Sequence, residues 1–107
     1  MDTRELQATL RAFGAARGWL DFHNPKNLAM ALSVEAAEVV ELFQWLTPEQ
    51  ARALADDPAG RQRIGEEVAD VLMYLLRLAD VCGLDLQAVV DDKLRRNAVK
   101  YPGPDAG

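Results

Sequence analysis

The sequence predicts an all-α fold, a bundle with four principal helices, and three observations carry that reading. Apolar residues recur at helical spacing through most of the chain, and no segment alternates with the period of two that marks a strand. Candidate helices open on capping residues and close on glycine or ahead of proline. Half of the 107 residues are apolar, enough to argue against disorder and to supply the core of one modest domain. That domain is expected over residues 1–102, with 103–107 as a flexible tail.

The first helix opens at Asp2 with Glu5 three residues on, a capping-box pattern. Its apolar stripe is Leu6, Leu10 and Phe13, and Gly18 closes it. The linker "WLDFHNP" leads to Asn24 as cap and Pro25 as first residue of a second helix, where proline's missing N–H costs nothing. That helix should run to about Trp45. "TPEQ" (47–50) starts a short helix that ends near "DDPAG". A long helix is expected from around Arg61 to Cys82, with Gly83 at its end. Asp85 caps the last helix, which runs to about Lys100 and stops before Pro102.

Composition narrows the function. Twelve Lys and Arg stand against 17 Asp and Glu, a net charge of −5. There is no excess of cations to displace the counterions of DNA or RNA, so a nucleic-acid polymer is not the expected partner. The single cysteine, Cys82, excludes an intrachain disulfide and fits a cytoplasmic setting. The start "MDTRELQATL" has no signal-peptide h-region, and the longest apolar run, "VLMYLL", is too short to span a bilayer, so no membrane role is expected.

The two most hydrophobic segments, "SVEAAEVVELFQW" and "GEEVADVLMYLL", both carry acids. At about 100° per residue, Leu28, Leu32, Val39, Phe43 and Leu46 share one face of the second helix. Glu35 falls inside that face, Glu38 on its edge and Glu41 toward solvent. On the long helix the buried face is read as Ile64, Val68, Val71, Leu75, Leu78 and Cys82. Glu67 flanks it, Asp70 lies one step further round, Tyr74 sits beside Glu67, and Glu66 and Arg77 are placed on the outer side. Glu35/Glu38 and Glu67/Asp70 are thus two i, i+3 pairs at a core margin. Like charges so placed repel, and partial burial makes each ionised carboxylate costly. No Lys or Arg stands at i±3 or i±4 on the inner side to relieve them. A hard divalent cation such as Mg²⁺ would, since it takes carboxylate oxygens and keeps positions open for water and phosphate. A solvated helix face remains the plain alternative for each pair alone. A di-iron site would need Glu-x-x-His on two helices, and the one histidine, His23, lies in a linker.

The pattern "EAAE" (35–38) followed by "EVAD" (67–70) resembles the MazG-like all-α nucleoside triphosphate pyrophosphohydrolases. "FHNPKNLAMAL", "EVVELFQWL", "EEVADVLMYLL" and the ending "KLRRNAVKYP" look most like the dCTP pyrophosphatase branch, over roughly residues 5–102. The resemblance implies hydrolysis of a nucleoside triphosphate between its α and β phosphates, releasing the monophosphate and pyrophosphate, with Mg²⁺ or Mn²⁺ as cofactor. Glu35, Glu38, Glu67 and Asp70 then match the metal-binding catalytic carboxylates. Trp19, Trp45 and Tyr74 match aromatic positions around the nucleoside, and His23 and Asn27, in the matching "FHNPKNL" stretch, join the substrate-binding set. Lys93, Asn97, Lys100 and Tyr101 match a C-terminal substrate-contacting segment. The resemblance also implies a homodimer or dimer of dimers with sites shared between subunits. Relatives in the branch can carry a histidine on the first helix near the base; here that region reads "TLRAFG", which implies a shallower preference for cytosine among pyrimidine deoxynucleotides.

The residues support the same chemistry independently. A triphosphate would be repelled by an acidic protein unless metal ions reversed the local sign. Lys93, Asn97 and Lys100 share one stripe of the last helix and could converge on phosphate or sugar, or simply be solvated. Trp19 and Trp45 at helix ends could stack on a base or pack. His23 can also brace its linker, and Cys82 reads as a small core residue. The alternative function is a non-catalytic helical module that binds a nucleotide or a protein.

Overall fold

A computed structural model describes residues 1–104. It contains five α-helices among them: α1 (Thr3–Ala16), α2 (Pro25–Phe43), α3 (Pro48–Asp56), α4 (Pro58–Val81) and α5 (Leu86–Lys100), with one turn of 3-10 helix at Leu20–Phe22. The expected all-α class stands. Most of the expected tail lies outside the described residues.

The helix starts follow the capping chemistry. Asp2, Asn24, Thr47, Asp57 and Asp85 each accept a hydrogen bond from a first-turn backbone N–H, which satisfies donors that have no partner inside the helix. At Thr47 the box is complete: the Gln50 N–H donates to the Thr47 hydroxyl at 3.1 Å, and the Thr47 N–H donates to Gln50 Oε1 at 2.9 Å. The expected start of α4 near Arg61 needs correction, because Asp57 and Pro58 form the same cap-and-proline pair as Asn24 and Pro25 and set the helix off three residues earlier. α1 and α4 both end in a Schellman motif. Gly18 (φ 71°) and Gly83 (φ 66°) adopt the left-handed conformation, and the next residue's N–H reaches back to Gly14 and Ala79 oxygens, both at 2.9 Å.

α4 is the hub: α2 packs along it most extensively, and α1 and α3 pack against it at other positions. α5 makes only marginal contact with the rest, so a closed four-helix bundle is not what one chain forms. The radius of gyration is 17.2 Å, against roughly 13 Å for a compact chain of about 100 residues. Leu28, Leu76 and Ala79 are the only buried apolar side chains among the described residues.

Two expectations about α4 are overturned. Its presumed buried face is only half covered: Ile64, Val71 and Leu78 are half-buried, but Val68 is 52% and Leu75 44% exposed, and Cys82 is exposed. Arg77, expected outside, is 6% exposed. The reason is the direction of packing. α1 and α2 approach α4 from the side that carries Leu76, Ala79 and Arg77, leaving the Val68–Leu75–Cys82 stripe without a partner among the described residues. α2 follows the expectation over most of its length, with Leu28 fully buried and Leu32, Val39 and Phe43 half-buried, but it ends at Phe43 and leaves Leu46, expected on the same face, outside the helix and exposed.

Candidate active site between two helices

The α2–α4 contact is where the acids meet. Glu35 and Glu38 on α2 face Glu67 and Asp70 on α4, and one carboxylate oxygen from each lies within 4.8 Å of the others. All four side chains are half-buried. Among the described residues none of the four takes part in an ion pair. Glu35 Oε2 and Glu67 Oε2 are sealed from solvent with no hydrogen-bond partner, an arrangement that costs free energy unless something positive fills the gap.

The electrostatics follow from that geometry. Burial first, then the Glu38 carboxyl and the charges of Asp70 and Glu67, holds the Glu35 proton more tightly than usual. For Glu67 the close Glu38 carboxyl comes first, then burial and the charges of Glu38, Asp70 and Glu66. A divalent cation would reverse both shifts.

The cluster lies between two concavities. On one side Glu35 and Asp70 border an apolar pocket of about 210 Å³, completed by Leu10, Phe13, Gly14, Trp19, His23, Met73, Tyr74 and Arg77. On the other, Glu38 and Glu67 border an open polar cleft with Glu41, Leu42, Arg63 and Glu66. A molecule with an aromatic end and a charged end, joined across a cation, matches this sequence of surfaces.

The aromatic pocket is built from α1 and the linker. The Schellman turn at Gly18 returns the chain so that Trp19 meets Phe13 edge to face, with centroids 5.7 Å apart. Arg17 stacks over Phe13 at 3.4 Å from the ring centre. Gly14 leaves room for the linker, because a Cβ there would stand 3.3 Å from His23 Cε1.

Of the residues named from the sequence, Trp19, His23 and Tyr74 line the pocket beside the acids. Asn27 does not: its side-chain amide donates to the Phe22 carbonyl at 3.1 Å and braces the 3-10 turn. Trp45 is 86% exposed beyond the end of α2. Lys93, Asn97, Lys100 and Tyr101 line neither concavity in their own chain, since α5 stands apart. Sequence reasoning missed Arg63 in the polar cleft and Arg77 in the apolar pocket. A signal for Arg77 was present. Glu67, Asp70, Tyr74 and Arg77 fall at i, i+3, i+7 and i+10, a heptad seam on one side of α4.

Comparison with known proteins gives a consistent picture. A model of the MazG-like family matches residues 30–107. Rat (Rattus norvegicus) and human (Homo sapiens) dCTP pyrophosphatase 1 are each 42% identical to this chain over 101 residues, 94% of its length. The chain spans 58% of the length of these relatives. A crystal structure of a pyrophosphatase from Archaeoglobus fulgidus matches with a TM-score of 0.87 at 40% identity, over 96% of this chain and 94% of that one.

Proposed function

The chain belongs to the MazG-like family, and from that premise we propose that it hydrolyses nucleoside triphosphates to the monophosphate and pyrophosphate, with dCTP and related pyrimidine deoxynucleotides as substrates. The observation that supports this most is the set of four converging carboxylates with two sealed, unpartnered oxygens. That donor set fits a hard cation: only oxygen ligands, several negative charges, and room on both sides. Glu35, Glu38, Glu67 and Asp70 would hold Mg²⁺, with Mn²⁺ as a substitute. When bound, the metal supplies Lewis acidity and offsets the charge of the polyphosphate.

The chain's own groups account for the rest. Trp19, Tyr74 and Phe13 enclose the nucleoside and exclude water from its faces. Arg63 meets the negative charge of the phosphates in the polar cleft, where it is the one cation among the lining residues. Glu41, on the same cleft outside the group of four, would accept the proton of the attacking water. A non-catalytic binder would have no use for four acids at this seam.

The same proposal includes a homo-oligomer. The open stripe of α4 and the exposed Val89, Val90 and Leu94 of α5 are apolar surface that a second copy would cover, as a dimer or a dimer of dimers. Lys93, Asn97, Lys100, Tyr101 and Trp45 then act on the site of the neighbouring copy. A cytoplasmic location, where a lone cysteine stays reduced, belongs to this reading. Pyrophosphate release from a panel of dNTPs, with and without Mg²⁺, tests it. Release that requires Mg²⁺ and favours dCTP supports the proposal, and no release from any nucleotide contradicts it.

A further inference from the structure

A buried arginine in the wall of an apolar pocket is unexplained by the chemistry above. Arg77 lines the pocket at 6% exposure and is fixed at two points. Its Nη1 donates to Asp80 Oδ2 at 2.8 Å, and its Nε donates to His23 Nδ1 at 3.2 Å. Asp80 is itself gripped by Arg11, whose Nε and Nη2 donate to its two oxygens at 2.9 Å each. The chain Arg11–Asp80–Arg77–His23 therefore runs from the surface of α1 to the inside of the pocket. It is a well-satisfied network, and such networks hold their members rigidly.

Four N–H groups are left over, three on Arg77 and one on His23. Because His23 Nδ1 accepts a hydrogen bond, the ring proton sits on Nε2. Arg77 keeps both hydrogens on Nη2 and one on Nη1. His23 Nε2 and Arg77 Nη2 make no hydrogen bond among the described residues, and neither is among the sealed, unpartnered atoms. Both side chains line the pocket that Asp70 and Glu35 also border. Arg77 stands seven residues beyond Asp70 on α4, about 10 Å along the helix axis, with Tyr74 between. A nucleotide whose phosphates lie at the acids would therefore direct its base toward Arg77 and His23.

Resting on the functional reading above, we propose that Arg77 determines specificity by presenting the free N–H groups of its Nη1 and Nη2 as two neighbouring donors to the base edge, which selects cytosine over thymine or uracil. Cytosine has adjacent acceptors, O2 and N3. Thymine and uracil carry a hydrogen on N3, so one donor would face another donor in a desolvated pocket. A site built to pair its polar groups rejects an edge that leaves one unpaired far more strongly than an apolar pocket rejects a change of shape. His23, Asp80 and Arg11 act as positioning residues, holding the guanidinium through its Nε and Nη1 hydrogen bonds.

The test compares dCTP and dTTP with Mg²⁺ present, in the wild type and in the double variant Arg77→Met/Asp80→Leu. The double variant removes buried Arg77 and its half-buried partner Asp80 together, so neither is left unpaired. The kcat/KM for dCTP should fall roughly 10- to 100-fold, with a much smaller change for dTTP, so that the ratio between them collapses. Equal losses on both substrates, or an unchanged ratio, overturn the proposal. Calorimetric binding of dCMP and dTMP to the wild type is an independent arm that needs neither turnover nor a variant. Tighter dCMP binding supports the assignment, and equal affinities overturn it. If the wild type hydrolyses no triphosphate, the functional reading fails, while the dCMP and dTMP comparison still decides this one.

Discussion

The inner seam and the outer faces of this chain are built the opposite way round from an ordinary small domain. The seam between α2 and α4 holds four carboxylates within 4.8 Å, and the pocket beside it buries Arg77. The outer faces carry Val68 and Leu75 on α4 and Val90 and Leu94 on α5, all well exposed. Hydrophobic burial is the main driving force for folding, and among the described residues it is complete only at Leu28, Leu76 and Ala79 on α2 and α4. The proposed function accounts for both halves of the contrast: acids kept together at the seam would serve binding, and a second copy would cover the apolar faces. The single chain is also extended, with a radius of gyration of 17.2 Å.

That contrast can be broken from either side. At the seam, Glu38→Gln or Asp70→Asn removes one charge from the group of four, and turnover should drop by orders of magnitude while circular dichroism stays that of a folded helical protein. Wild-type pyrophosphate release from either variant at saturating Mg²⁺ would mean the seam is not catalytic. On the outer faces, Leu94→Glu or Val68→Arg should shift sedimentation toward the monomer and reduce activity in step. Full activity from a sedimenting monomer would show that the outer faces are not needed.

Trp45→Ala sharpens the comparison at a smaller scale. Its ring is exposed in its own chain, and a stacking role on a base held by another copy is worth about 1–3 kcal/mol. KM should rise by a similar factor for every accepted dNTP, with kcat less affected. Loss of one substrate alone would mean that Trp45 reads a base edge.

The smallest effect is on the stability of the metal-free protein. The folded state raises the Glu35 and Glu67 proton affinities above those of the unfolded chain. Their repulsion therefore opposes folding fully at neutral pH and is relieved as pH falls through the raised values toward the ordinary carboxylate range. His23 acts the other way. Burial first, then the Arg77 charge, lowers its affinity for a proton, so its contribution is lost as pH falls below the ordinary histidine range and the unfolded chain takes up the proton. Glu35→Gln should raise the melting temperature at neutral pH and leave the His23-dependent decline in place. A lower melting temperature for Glu35→Gln would show that the charge is compensated in a way the seam does not display.

Most of the helical frame was legible because its signals are local. Asn24–Pro25, Thr47–Pro48 and the glycines at 18 and 83 act within a turn of themselves, and the chain's own capping atoms enforce them. The acid cluster was legible because two i, i+3 pairs fell on the side of an apolar stripe. What could not be read was which face of α4 is turned inward. Its wheel offers an apolar stripe at Val68 and Leu75 and a polar seam from Glu67 to Arg77, and periodicity favours the first. The polar seam faces inward because α1 and α2 bring the partners for it: Glu35 and Glu38 on α2, and Arg11 on α1, which reaches Asp80. Those partners are far apart in sequence, and only the packed helices show them. The separation of α5 was equally hidden, since its amphipathic pattern gives no sign that its apolar side lacks a neighbour within the chain.

The central claim is that the α2–α4 seam is a cation site whose repulsion is relieved by Mg²⁺. The most direct measurement is the melting midpoint of the metal-free protein as MgCl₂ is added, for the wild type and for Asp70→Asn. A ligand that binds only the folded state raises stability in proportion to the logarithm of its concentration over Kd once the site saturates. The wild type should therefore climb steadily with Mg²⁺, while Asp70→Asn starts no lower and responds far less. A wild-type midpoint that does not move, or an equal rise in both proteins, would contradict the account.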